Sequence, residues 1–267
     1  MTRLEAISLG SNNLSGSIPD ELGKLSNLWW LDLEGNMLGR VLPPNIGDTL
    51  PNLQYLSLYD NNFFGHIPAF LGNSSELRGI FLSNNNFSGQ VPSSFGKLRK
   101  LSFLSLGQNM IEANNKRSWE FLHALENCTL LQALDLGDNQ LEGTIPNLIG
   151  NLSANLQYLY LGGNHLSGAV PPSIGGLRNL TYLLLQYNDL TGTLEEWIGG
   201  LTNLQYVYLK ANNFIGTIPP SFKNFQQLWF LDLSYNNLDG DIPSNLGNLG
   251  QLQHLDLSNN RLQGIIP

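Results

Sequence analysis

The sequence predicts an α/β-type repeat solenoid. In outline this is a right-handed superhelix of about eleven units, with a parallel β-sheet on its concave face and turns, 3-10 or short helices on its convex face. Three observations predict it. The 267 residues include 54 Leu and 33 Asn, so two residue types supply about a third of the chain. Asparagines recur in one phase at Asn12, Asn36, Asn61, Asn85, Asn109, Asn139, Asn164, Asn188, Asn212, Asn236 and Asn260, spaced 24 or 25 residues apart with one interval of 30. Nine of the thirteen prolines stand seven residues after one of those asparagines, as Pro19, Pro68 and Pro243 do. One array covering 1–267 is therefore expected, with an irregular long repeat around 109–131.

Each repeat reads L-x-x-L-x-L-x-x-N-x-L-x-G-x-I-P-x-x-L-G-x-L, and its elements follow in that order. The alternating L-x-L core makes a short strand with its leucines on the inner side. One such strand cannot bury its apolar side alone, so neighbouring repeats stack in parallel. The anchor Asn offers two donors and an acceptor to backbone groups that the turn leaves unpaired, and stacked anchors form a ladder. Gly permits backbone angles that a side chain forbids, and Pro fixes the return segment and ends strand pairing. Two repeats depart from the pattern. After Asn109 the spacing of Trp119, Leu122 and Leu125 predicts one stripe of a convex-side helix with Ser118 as its N-cap. After Asn188, Glu195 stands in the place of the proline.

Composition narrows the function classes. A net charge of -8, with 13 basic against 21 acidic residues, argues against a nucleic-acid binder. A single cysteine, Cys128, cannot staple a scaffold and is expected to point into the core as a small apolar residue. No apolar run reaches the roughly 18 residues of a membrane span, and the first residues lack the apolar core of a signal peptide. His66, His123, His165 and His254 fall in four different repeats without ligand spacing, so neither a metal nor a cofactor is expected. Glu195 and Glu196 are adjacent carboxylates without a cleft, a poor acid/base pair.

The G-x-I-P-x-x-L-G-x-L signature resembles the plant-specific class of extracellular leucine-rich repeats. More narrowly, S-W-E-F-L-H-A-L-E-N-C-T (Ser118 to Thr129) and G-T-L-E-E-W-I-G (Gly192 to Gly199) are similar to marks of one subfamily of receptor-like kinases, subfamily XII. It contains the rice bacterial-blight immune receptor kinases and the receptor for bacterial elongation factor. The resemblance implies the middle of a longer ectodomain, with cysteine-bearing caps, a membrane span and a cytoplasmic kinase in segments outside this stretch. It also implies a peptide or protein ligand, such as a microbial epitope, along the concave groove, a co-receptor kinase, and a place on the extracellular face of the plasma membrane. This stretch has no glycine-rich phosphate loop, no H-R-D and no D-F-G, so it is not expected to be an enzyme. An alternative is a secreted inhibitor of fungal cell-wall-degrading enzymes, lodged in the cell wall.

Binding chemistry is expected at the outward strand positions. In repeats seven to ten these are Tyr158, Tyr160, Tyr182, Leu184, Tyr206, Tyr208, Phe230 and Asp232, with Tyr187, Lys210 and Tyr235 in the adjoining loops. Tyrosine suits peptide binding because it offers a large ring, little entropy to lose and a hydroxyl. A second cluster of Trp30, Asp32, Glu34, Tyr55, Tyr59 and Asp60 lies earlier, followed by Phe81 and Phe103. Asp32, Asp135, Asp232 and Asp256 hint at a ligand of basic character. Sequons for N-glycosylation occur at Asn13, Asn73, Asn86, Asn127, Asn151 and Asn179.

Overall fold

The computed structural model describes residues 3–267, and the side chains of Glu195 and Glu196 lie outside what it describes. The chain forms two compact units, Met1–Leu141 and Glu142–Pro267.

In the first unit the strands Ala6–Ser8, Trp30–Asp32, Tyr55–Ser57, Gly79–Phe81, Phe103–Ser105 and Ala133–Asp135 pair in chain order, all parallel. In the second, Tyr158–Tyr160, Tyr182–Leu184, Tyr206–Tyr208, Phe230–Asp232 and His254–Asp256 do the same. Each strand is three residues long with an aliphatic residue at its centre, and the register sets centre against centre, as in Leu159↔Leu183 and Val207↔Leu231. Those central residues have no solvent exposure from Leu31 through Leu231. Because side chains alternate across a strand, burying the centre turns both flanking residues to the open face of the sheet.

Eight of the anchor asparagines are buried, Asn109 and Asn260 are half-buried and Asn12 is exposed, and the buried ones work as expected. Asn61 donates through Nδ2 to the carbonyls of Leu58, Tyr59 and, one repeat earlier, Leu33, at 3.3, 3.2 and 2.9 Å. Its Oδ1 accepts from the Leu38 N–H of the earlier repeat at 3.0 Å. Asn36, Asn85, Asn188, Asn212 and Asn236 repeat the set. Each buried backbone group left unpaired would cost roughly 1–3 kcal/mol, which is why an amide with this donor and acceptor count recurs. The residue before each anchor takes a left-handed turn, with φ +54° at Asp60 and +56° at Tyr187.

Beyond the ladder runs a second row of short parallel strands, for example Met37–Arg40, Asn62–His66 and Asn86–Gly89 in the first unit and His165–Ala169 and Asp189–Thr191 in the second. The proline then starts a 3-10 turn such as Ala69–Asn73, its φ lying between -62° and -73° across the repeats. Where the return segment departs from this plan, short α-helices replace the 3-10 turn: α1 (Ile46–Thr49), α2 (Glu120–Leu125) and α3 (Glu195–Ile198).

Helix α2 buries the expected stripe, with Trp119 5% exposed and Leu122 and Leu125 not at all. Phe121, absent from that stripe, is buried as well and stacks on Trp119 at 5.7 Å. The expected N-cap is corrected. Trp119 occupies the cap position without a side-chain cap bond. The Ser118 hydroxyl instead accepts from the N–H groups of Asn114 and Asn115, both at 2.9 Å, and donates to the Asn115 carbonyl at 2.7 Å. The inserted loop folds back so tightly that its own backbone reaches the hydroxyl before the helix does. Cys128 is buried as expected: its thiol donates to the Phe95 carbonyl at 3.4 Å, and burial pushes its pKa up to about 11.

Candidate ligand-binding face

The second unit carries the predicted tyrosines on one open sheet face. Identical register places Tyr158, Tyr182, Tyr206, Phe230 and His254 in one column at successive strand starts. Their ring centroids lie 4.4, 5.8, 4.1 and 5.8 Å apart; the first three pairs stack, the Tyr206–Phe230 planes within 2° of parallel, and His254 is tilted by 44° against Phe230. Each such pair adds about 0.5–1.5 kcal/mol beyond its area, so the rings hold one another in place. Trp229 braces the column edge-on, 5.3 Å from Tyr206 and 5.9 Å from Phe230. A second column, two residues further along each strand, holds Tyr160, Leu184, Tyr208, Asp232 and Asp256. Tyr208 joins the two columns, lying edge-on to Tyr206 and Phe230 at 6.3 and 5.8 Å.

Exposure divides the predicted residues. Tyr158 and Tyr187 are exposed, while Tyr160, Tyr182, Leu184, Tyr206, Tyr208, Lys210 and Phe230 are half-buried. Asp232 is only 5% exposed, and its carboxylate accepts from the Ser234 N–H at 2.8 Å. The accessible carboxylate is its neighbour Asp256, which hydrogen bonds from Ser258 hold below the ordinary range, with the charge of Lys210 adding to them. The Lys210 ammonium sits 5.3 Å over the ring of Tyr235 and, among the described residues, has no carboxylate within 4.0 Å. Burial pushes the Tyr208 hydroxyl up to about 12, reinforced by the Tyr187 hydroxyl and by Asp232. Tyr206 and Tyr158 are raised by burial too. The outcome is a partly open aromatic floor flanked by the Lys210 ammonium and the Asp256 carboxylate.

Three members of this face escaped the sequence reading. His254 occupies the same column as Tyr158, a match that aligning the repeats by phase could have found. Trp229 precedes its strand, a position that the in-and-out rule leaves undecided. Gln186 stands in the Lys210 column, and its polar side chain gave no aromatic signal.

In the first unit Trp30 meets Tyr55 at 5.1 Å, and Phe81 stacks on Phe103 at 6.3 Å. Several acidic side chains there are paired with hydroxyls of neighbouring repeats. Ser8 donates to Asp32 at 2.7 Å and Ser57 to Glu34 at 3.1 Å. Ser105 donates to Asp135 at 2.7 Å, and burial raises the Asp135 pKa against these hydrogen bonds. All six sequon asparagines, Asn13, Asn73, Asn86, Asn127, Asn151 and Asn179, are exposed.

The family model described as Leucine rich repeat matches residues 129–190, 154–214 and 178–238, and a second of the same description matches 3–25, 27–49, 52–74, 76–98 and 251–267. The chain is 42% identical over 60 residues, 22% of its own length, to the "Receptor kinase-like protein Xa21" of Oryza sativa subsp. japonica. It is 37% identical over 150 residues, 55% of its length, to "Receptor-like protein 53" of Arabidopsis thaliana. It spans only 6% and 14% of those two proteins. Among solved structures, the Arabidopsis receptor kinase HAESA, in complex with the peptide hormone IDA and the co-receptor SERK1, superposes with a TM-score of 0.78 at 31% identity. That match covers 98% of this chain and 47% of HAESA.

Proposed function

We propose that this chain, which belongs to the leucine-rich repeat family, is a ligand-recognising segment of a plant cell-surface receptor, and that it binds a peptide on the aromatic face of Glu142–Pro267. The observation that carries this reading is the column of five aromatic rings from Tyr158 to His254, four of them stacked, on the face of the sheet turned away from the core. An open apolar surface of this kind on a folded domain marks an interaction site. The solved relative complexed with a peptide hormone supports a peptide as the ligand. Its co-receptor supports a second receptor kinase as the further partner, with any phosphate transfer performed by segments other than these repeats.

The mechanism is adhesion. Tyr158, Tyr160, Tyr182, Leu184, Tyr187, Tyr206, Tyr208 and Phe230 bury apolar side chains of the peptide. The stacking of Tyr158, Tyr182, Tyr206 and Phe230 means that few of their rotamers are frozen on binding, so little affinity is lost to ordering. Lys210 takes an acidic group and Asp256 a basic one, which fixes the direction in which the peptide lies. The buried Asp232 acts through Tyr206 and Tyr208, not by contact. The extracellular side of the plasma membrane suits both a peptide ligand and the exposed sequons.

The test is to replace Tyr160, Tyr182 and Tyr208 together by Ala. Linear twelve-residue peptides selected from a random library on the wild-type chain should bind the triple variant about a thousandfold more weakly, as expected when several central aromatic anchors are removed. Circular dichroism should remain that of the wild type, since none of the three is in the core. Unchanged peptide binding would sink the assignment.

A further inference from the structure

Gln186 lies on the same face, between Tyr160 and Lys210, and its environment is unlike that of its neighbours. It is 5% exposed. Its Nε2 donates to the Tyr160 hydroxyl at 3.3 Å, while its Oε1 is buried and meets no donor among the described residues. The amide rests on Gly162 of the preceding repeat. A Cβ at that glycine would fall 2.5 Å from both Cδ and Oε1 of Gln186, so the side chain fills space that only a glycine leaves. A buried acceptor without a donor opposes folding, and an apolar group of the same shape would serve the core better. Retention of a polar group there calls for a partner that arrives from outside.

The geometry points to Gln186 as the main-chain anchor of the face: an extended peptide displaces its amide from Gly162, lays main chain against that glycine, and donates a main-chain N–H to the released Oε1. Gly162 has no side chain to hold a peptide backbone away. The aromatic column beside it takes the peptide's side chains, and Lys210, with no carboxylate within 4.0 Å among the described residues, stands next in line for an acidic group. This inference rests on the peptide-binding reading above. It adds that the peptide is read through its backbone at one defined point.

The probe is a set of twelve-residue linear peptides selected to bind the wild-type chain and to lose binding to the Tyr160, Tyr182 and Tyr208 triple Ala variant. Gln186→Met keeps the shape and removes the polar atoms. Its affinity for these peptides should fall about tenfold, the loss of one buried hydrogen bond. The thermal midpoint of the free chain should rise by about 2 °C, because an unpaired acceptor is gone. A purely structural Gln186 gives the opposite pair of results: a lower midpoint, through loss of the Tyr160 bond, and unchanged affinity. Should Gln186→Met fail to fold, Gly162→Ala decides. Its methyl meets only the end of a flexible side chain, so the chain folds, while the peptide backbone is held off and affinity falls about tenfold. Affinity within twofold of wild type in the folded variants overturns the assignment of Gln186 alone. Failure to recover any peptide that depends on the three tyrosines overturns the peptide-binding reading and this inference with it.

Discussion

At the scale of single residues, the open face is governed by how deeply each side chain sits, and depth was the least legible property in the sequence. Asp232 and Asp256 occupy one column in adjacent repeats and read identically, yet one is 5% exposed and the other half-buried. Asp232 is flanked by paired strands on both sides, carrying Tyr208 and Asp256, so cover comes from both directions. Tyr208 shows the energetic result. Its hydroxyl is pushed up to about 12 from the ordinary 10.0, chiefly by burial. The unfolded chain loses that proton near pH 10 while the folded chain keeps it until near pH 12. The contribution is therefore fully present below pH 10 and is lost as pH rises through the folded value. Tyr208→Phe should flatten the fall in stability between pH 10 and 12, measured by alkaline unfolding and by tyrosinate absorbance. Equal slopes for wild type and variant would show that Tyr208 titrates normally.

At the scale of elements, the repeat was legible because four residue types hold one phase. Leu sets the strand centre, Asn the ladder, Gly the turn, and Pro the return. The long repeat was half legible. The period of Trp119, Leu122 and Leu125 located helix α2, but Ser118 was misplaced as its cap. Capping depends on which backbone N–H groups lie nearest, and the chain's path through Asn114–Ser118 decides that. The buried face of α2 should dominate its stability. Leu122→Ala should cost about 3 kcal/mol in urea unfolding, within the range for a fully buried leucine, whereas His123→Ala on its exposed side should change little. Similar effects for the two would mean that α2 does not dock through this stripe.

At the scale of the whole molecule, composition misleads until the period is seen. The Leu and Asn excess reflects one unit copied along the chain, and the low charge follows because so many positions belong to core or ladder. Six sequons among 33 asparagines hardly exceed chance on composition, and only exposure gives them weight. None falls on the strands of the aromatic face. In the second unit, Asn151 closes a 3-10 turn on the return side, and Asn179 donates to the Ala154 carbonyl there at 2.8 Å. Secreted from plant cells, the chain should carry glycans at several of the six sites, detectable by peptide mass spectrometry. Enzymatic removal of those glycans should leave peptide affinity unchanged. A large change in affinity would place a glycan at the binding face.

The asparagine ladder is directional, and the direction matters while the protein is being made. Each anchor completes the turn before it: the Leu38 N–H waits for Asn61, as the Phe63 N–H waits for Asn85. A nascent chain leaving the ribosome would therefore carry, at its youngest turn, a backbone N–H without its asparagine acceptor until some two dozen more residues have emerged. Folding would follow translation one repeat behind, and a pause in synthesis would expose the same unfinished edge wherever along the array it fell.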